Sequence, residues 1–142
     1  MKNLNCIFCK EENHLIKNES AYEIFDKFPV TKFHALIIPK RHVETFFELT
    51  LTEKNQCFDL LDEIKESLIQ KDKTISGFNV GFNSGQDAGQ TIMHCHIHII
   101  PRRKGDVIEP QGGIRNIIPG KGNYRIIEGN LPKEFEVKDR EQ

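Results

Sequence analysis

Three histidines occupy alternate positions in His94-Cys95-His96-Ile97-His98, in a chain of 142 residues that contains six. On a β-strand, successive side chains point to opposite faces. Residues 94, 96 and 98 would then share one side, about 7 Å apart, with Cys95, Ile97 and Ile99 on the other. Three imidazoles on one face of an otherwise apolar strand are costly to bury without partners. A lone histidine there reads as a hydrogen-bonded core residue, whereas three in register point to chemistry. Two chemistries suit the row. Imidazole is the commonest protein ligand for zinc, and a neutral imidazole is a competent nucleophile at phosphorus. The polar segment entering the row, residues 83–91 (NSGQDAGQT), favours the second. Its backbone amides suit an anion-binding nest, and Gln90 and Thr91 add side-chain donors. A nucleophilic imidazole must be unprotonated on its attacking nitrogen. Free histidine titrates near 6.5, so the neutral form is accessible at cellular pH. Its other nitrogen should donate to a fixed acceptor, commonly a backbone carbonyl, which sets the tautomer.

The second cluster is Cys6-Ile7-Phe8-Cys9, a CxxC whose spacing suits zinc, a redox pair or coincidence. A thioredoxin-like motif belongs at a strand-to-helix junction in a βαβ pattern, which is missing here. A structural zinc site needs two further ligands, and the candidates are His14, His34, His42 and His94. The alternative is a pair of reduced surface thiols. Of the four cysteines, Cys57 and Cys95 read as ordinary buried thiols. Two disulfides would require an oxidising compartment, for which the sequence offers no sign.

Elements to position these groups follow from hydrophobic period and turn residues. Segments 14–17 and 21–26 read as a short hairpin with Asn18, Glu19 and Ser20 in its turn. The run HALIIP over residues 34–39 is short, apolar and ended by proline, which suits a central strand. From 44 to about 71, apolar residues recur three and four apart between charges. That pattern predicts an amphipathic helix, or a short turn leading into one long helix, with Thr52 as N-cap. Segments 78–83 and 93–100 alternate as strands, the second stopped by Pro101. Beyond Arg102 the chain becomes Gly- and Pro-rich, an extended arm with a frayed charged tail over 133–142. The sum is one domain over residues 1–142, with a core over about 4–106 and an arm over about 107–142. Its fold class is α+β, a mainly antiparallel sheet packed against one long helix.

Lys and Arg number 20 against 21 Asp and Glu, so no global field favours nucleic acid or a membrane surface. The apolar runs are too short to span a bilayer, and no secretory signal opens the chain. A cytoplasmic protein that holds its ligand through local groups is the expectation. The basic run Arg102-Arg103-Lys104 could bind a polyphosphate chain or form a solvated turn.

The stretch from Gly89 to Arg102 (GQTIMHCHIHIIPR) resembles the signature of the histidine triad (HIT) superfamily, histidine alternating with apolar residues followed by two more apolar residues. His34 to His42 (HALIIPKRH) is similar to the family's strand and turn before its long helix, and Asp26 stands where the family places a ribose-contacting acid. The resemblance runs from about Cys6 to Asp106. It implies a HIT-like fold with an N-terminal hairpin and an extended C-terminal arm. It also implies a hydrolase of phosphoanhydride, or phosphoramidate, bonds at the α-phosphate of a nucleotide, similar to the dinucleoside polyphosphate hydrolase (fragile histidine triad-like) branch. In that reading His96 is the nucleophile and carries a nucleotidyl-histidine intermediate. His98 and Thr91 contact the α-phosphate, and Asn83, Gly89 and Gln90 position nucleotide and phosphate oxygens. Asp26 holds the ribose, and Ile24 and Phe25 form a slot for the base. The ligand is a purine nucleotide or dinucleoside polyphosphate, the latter accompanied by Mg2+. Family branches also carry a structural zinc whose ligands map onto Cys6, Cys9, His42 and His94, leaving His14 and His34 as ordinary residues. Members are usually homodimers. A nucleotidyl transferase or phosphorylase, an adenosine phosphoramidase and a non-catalytic nucleotide-binding regulatory module remain the alternatives.

Overall fold

The computed structural model describes residues 3–124, in two compact units divided between Lys104 and Gly105. The first unit holds strands β1 (Ala21–Phe25), β2 (Ala35–Pro39), β3 (Ile75–Gly81) and β4 (Ile97–Arg103), a single helical turn α1 (Ile7–Lys10) and the long helix α2 (Leu51–Lys71). The four strands form one sheet in the order β1-β2-β4-β3, every neighbouring pair antiparallel. This is the α+β architecture that the periodicities predict.

Helix α2 buries the stripe Cys57, Leu60, Ile64 and Leu68, spaced three and four apart, against Ala35, Ile37, Ile97 and Ile99 of the sheet. Each fully buried Leu or Ile contributes roughly 1.5–3 kcal/mol relative to exposure, which fixes α2 to that face. The opposite face carries a smaller core of Tyr22, Ile24, Leu36 and Ile38, capped by Phe8 from α1. Strand alternation therefore gives β2 and β4 one face for packing and another free for a site.

Several elements differ in detail from expectation. A short turn at Phe46–Glu48 leads into α2, one of the two forms expected, but the helix N-cap is Thr50 and not Thr52. The reason is a reciprocal capping box. The Glu53 amide donates to Thr50 Oγ1 at 3.1 Å and the Thr50 amide to Glu53 Oε1 at 2.8 Å, whereas the residue three beyond Thr52 is Asn55. The segment over 14–17 forms no regular strand, yet it pairs with β1 as the hairpin reading expects: Lys17 bridges to Tyr22, the Leu15 amide donates to the Glu23 carbonyl at 2.8 Å and the Glu23 amide to the Ile16 carbonyl at 2.7 Å. Strand β3 starts earlier, at Ile75, and ends at Gly81, whereas β4 starts later, at Ile97, and runs through Pro101 to Arg103. Pro101 fits because β2 stops pairing at Ile99. The Pro101 carbonyl on that side accepts from Thr31 Oγ1 at 2.8 Å, so the missing N–H breaks no ladder bond. No helix among the described residues is long and apolar enough to cross a membrane.

In the second unit, a short helical turn spans Gly113–Ile117, and the Arg115 guanidinium donates to the carbonyls of Gly122 (3.0 Å) and Lys121 (3.3 Å). The tail over 133–142 lies outside the described residues.

Candidate functional site

A cavity of about 250 Å³ opens on the sheet face away from α2. Its apolar walls are Ile7 and Phe8 of α1, Ile24 of β1 and Leu36 of β2; His96, His98, Asp26 and the segment 89–92 supply its polar lining. The histidine row is not a single strand. His98 alone belongs to β4; His94 lies in a bend and His96 in irregular chain just before the strand. Their environments differ accordingly.

The Nδ1–H of His96 donates to the His94 carbonyl at 2.7 Å, the fixed acceptor that nucleophilic use requires. The lone pair is thereby left on Nε2. His98 is oriented from the other side. The Val30 amide donates to His34 Nδ1 at 3.2 Å, so His34 carries its proton on Nε2, 3.0 Å from His98 Nδ1. His98 therefore accepts on Nδ1 and keeps an Nε2–H donor for the cavity it lines. Burial holds His98 far down, at about 4, helped by its neighbours His96 and His34 and opposed by Asp26. His34 is likewise lowered by burial, against the pull of Asp26, whose Oδ2 lies 3.5 Å away. The two rings therefore face the cavity differently: His96 with its Nε2 lone pair, His98 with its Nε2–H.

His34 is the residue that sequence reasoning missed. It is only 3 % exposed and holds His98, although it reads as an ordinary residue in the sequence. Its signal was register: residues 34, 36 and 38 alternate on the same face of the strand, and Leu36 pairs with His98. The turn before it bends sharply, with Phe33 at φ 72°, a left-handed conformation costing on the order of 1 kcal/mol for a bulky side chain. His14 stacks on Tyr22, ring centroids 3.7 Å apart.

The loop before the row is more self-contained than an anion nest. The amides of Gly85, Ala88, Gly89 and Gln90 all donate within it, and Gly89 turns it at φ 94°, where only glycine is unstrained. The Gln90 carboxamide is used the same way: Oε1 accepts from Gly85, and Nε2 donates to the carbonyls of Glu44 (2.6 Å) and Ile92 (3.1 Å). Gln90 thus fixes the loop instead of offering a donor to a ligand. Thr91, exposed on the cavity lining, retains its hydroxyl, and Asn83 lines the same cavity. Phe25 is a further correction. As the neighbour of Ile24 on β1 it faces the opposite side, packs with the α2-side core, and leaves the cavity wall to Ile24. Asp26 lines the cavity, its Oδ1 accepting from the Phe28 amide at 2.8 Å. The basic run is engaged elsewhere: Arg102 bonds Asn79 at 2.8 Å and Arg103 pairs with Asp72 at 3.0 Å.

Behind His96, the four predicted ligands converge. Cys6 Sγ lies 3.4 Å from His94 Nδ1, and Cys9 Sγ lies 3.3 Å from His42 Nδ1 and 3.5 Å from His94 Nδ1; the two Nδ1 atoms are 3.1 Å apart. A tetrahedral zinc with sulfur at about 2.3 Å and nitrogen at about 2.0 Å would separate its ligands by about 3.3–3.8 Å. The Nε2–H of His94 donates to the Pro39 carbonyl at 2.7 Å, which frees Nδ1 as a ligand and is the usual outer-shell partner of a metal-bound imidazole. Donor set and spacing both fit zinc. A second group, Asp26, His34 and His98, is explained by the hydrogen bonds above.

Residues 9–105 match the HIT domain family. The chain is 39 % identical over 109 residues to the protein hit of Bacillus subtilis, covering 72 % of this chain and 74 % of that one. It is 40 % identical over 99 residues to the bis(5'-nucleosyl)-tetraphosphatase [asymmetrical] of Schizosaccharomyces pombe, covering 70 % of this chain and 54 % of that one. Among solved structures, a Zn-bound histidine triad family protein from Mycobacterium smegmatis superposes with a TM-score of 0.67 at 27 % identity, covering 75 % of this chain and 81 % of that one.

Proposed function

The chain belongs to the HIT family, and from that premise we propose that it is a nucleotide hydrolase cleaving at the α-phosphate through a nucleotidyl-histidine intermediate on His96. The observation that carries this reading is the 2.7 Å bond from His96 Nδ1 to the His94 carbonyl, which leaves the Nε2 lone pair for attack. That pair forms a nitrogen–phosphorus bond as the bond to the leaving phosphate oxygen breaks. Water then displaces the imidazole, and the nucleoside monophosphate leaves. The His98 Nε2–H and the Thr91 hydroxyl donate to the phosphoryl oxygens, on which charge gathers in the transition state. Asp26 accepts from the ribose hydroxyls, and the slot between Phe8, Ile24 and Leu36 takes the base. A dinucleoside polyphosphate is the favoured substrate, the class named for the fission-yeast relative.

Zinc, held by Cys6, Cys9, His42 and His94, is structural in this reading. It would tie α1 to the chain before β4, keeping the His94 carbonyl in place. We read the protein as a homodimer, supported by the exposed apolar side chains Phe47 (70 %), Leu51 (74 %) and Phe58 (50 %) at the start of and along α2. None of its four cysteines is in a disulfide, which suits a reducing compartment such as the cytoplasm.

The test is to incubate the protein with a panel of dinucleoside polyphosphates, quench, and locate the nucleotidylated residue by mass spectrometry. Modification of His96, and loss of turnover in His96→Ala with nucleotide binding retained, is the expected result. Full turnover in His96→Ala overturns the mechanism.

A further inference from the structure

Two charged side chains of opposite sign, Glu11 and Lys27, line the cavity together with its apolar walls. A shallow groove adjoins the cavity and shares three residues with it, Ile7, Glu11 and Lys27, and none of the histidines or loop residues. Those three therefore border the cavity on a side that the histidines and the loop do not share with the groove. In the reading given above, that is the side where the edge of the base emerges from between Phe8 and Ile24.

Glu11 is held for such a role. It is the residue on which α1 ends; the Asn13 amide donates to its Oε1 at 3.0 Å, and its carbonyl is 2.7 Å from His14 Nε2, whose ring stacks on Tyr22. Oε2 and the second lone pair of Oε1 remain available. Neither Glu11 nor Lys27 is engaged in an ion pair among the described residues. An apolar slot alone discriminates poorly between purines, because both offer the same flat face. A carboxylate and an ammonium at its open end read the edge instead.

We propose that Glu11 and Lys27 form a base-reading pair that selects guanine over adenine, an inference that rests on the nucleotide-binding reading of the cavity. Guanine presents two adjacent donors, N1–H and the 2-amino group, which match the two oxygens of one carboxylate, and the acceptors O6 and N7, which match an ammonium. Adenine presents an acceptor, N1, where guanine has a donor, so it would set a lone pair against the carboxylate. Its 6-amino group would meet Lys27 as donor against donor. Hypoxanthine keeps N1–H and O6 but lacks the 2-amino group, and should fall between the two.

The experiment is calorimetric titration of the full-length protein with GMP, IMP and AMP, repeated on Glu11→Gln and Lys27→Met. Charge-assisted hydrogen bonds at a partly solvated edge support a GMP preference over AMP of roughly tenfold, with IMP intermediate. Glu11→Gln removes the charge from the contact to guanine N1–H and the 2-amino group and gives adenine N1 an amide donor, so the GMP:AMP ratio should fall to about one or below; Lys27→Met should lower it as well. GMP and AMP binding within twofold of each other in the unmodified protein overturns the proposal, as does a ratio unchanged in Glu11→Gln. Absence of binding by every mononucleotide overturns the hydrolase reading itself, an outcome distinct from loss of selectivity alone.

Discussion

Glu23 offers the sharpest test of how this fold handles charge. It sits on β1 opposite Ile37, 3 % exposed, on the face that packs against α2. Burial raises its carboxyl from 4.5 to about 7, against the pull of the Lys71 ammonium and a backbone hydrogen bond from Ile16. Below pH 4.5 folded and unfolded chains both hold the proton, and Glu23 costs nothing. As pH rises, the unfolded chain releases its proton first, so stability falls until the folded carboxyl ionises near 7. A shift of this size corresponds to a total of about 3 kcal/mol, most of it lost between pH 5 and pH 8. Glu23→Gln keeps the shape and removes the titration. Urea unfolding at the two pH values should show the variant gaining about 2–3 kcal/mol on the parent between pH 5 and pH 8. With a slope of about 2 kcal/mol/M, that is a relative midpoint shift of about 1 M. The same stability difference at both pH values, within about 0.5 kcal/mol, would refute the reasoning, because the carboxyl would then titrate alike in both states.

His98 carries the opposite sign. Its folded value of about 4 lies below the unfolded 6.5, so its contribution is complete above pH 6.5 and is lost as pH falls toward 4. Because the cavity partly solvates it, His98→Gln should make the stability loss between pH 6.5 and 4.5 shallower by only roughly 1 kcal/mol, read by the same urea titrations; parallel curves would count against it. His34→Leu leaves His98 Nδ1 without its donor, at a cost of about 1–3 kcal/mol in stability, and kcat should fall more than KM rises, since the ring that meets the transition state loses its orientation. Elemental analysis should find about one zinc per chain, absent in Cys9→Ser, whose melting temperature should drop on the order of 5–10 °C; an unaltered melting curve with equal metal content would rule the site out. Thr50→Ala removes the α2 cap and should cost about 1 kcal/mol in urea unfolding, with Thr52→Ala near neutral.

Much of this was legible in the chain. The three-and-four spacing of Leu60, Ile64 and Leu68 specifies a helix buried along one stripe, because only a 3.6-residue period aligns them. The alternation over residues 94–98 anticipates that His96 and His98 line one cavity, while the bend at His94 turns that ring toward Cys6, Cys9 and His42. The capping box at Thr50 and Glu53 was also there to be read. Phe25 shows the limit of reading by proximity: adjacency to Ile24 suggested one slot, and alternation sends the two to opposite sides of the sheet.

What the sequence determined by itself was the inventory of reactive groups and the local geometry of each element, because helix and strand periods act over a few residues. What only the tertiary structure decided was the state of each group. His94 meets Cys6 across 88 residues, and His34 meets His98 across 64, contacts that no local period encodes. Whether an imidazole serves as ligand, nucleophile or donor depends on which nitrogen holds the proton: a partner across the fold sets it for His94 (the Pro39 carbonyl) and His98 (His34), and the carbonyl of His94, two residues away, sets it for His96. Three histidines alike in sequence thereby become three different chemical groups.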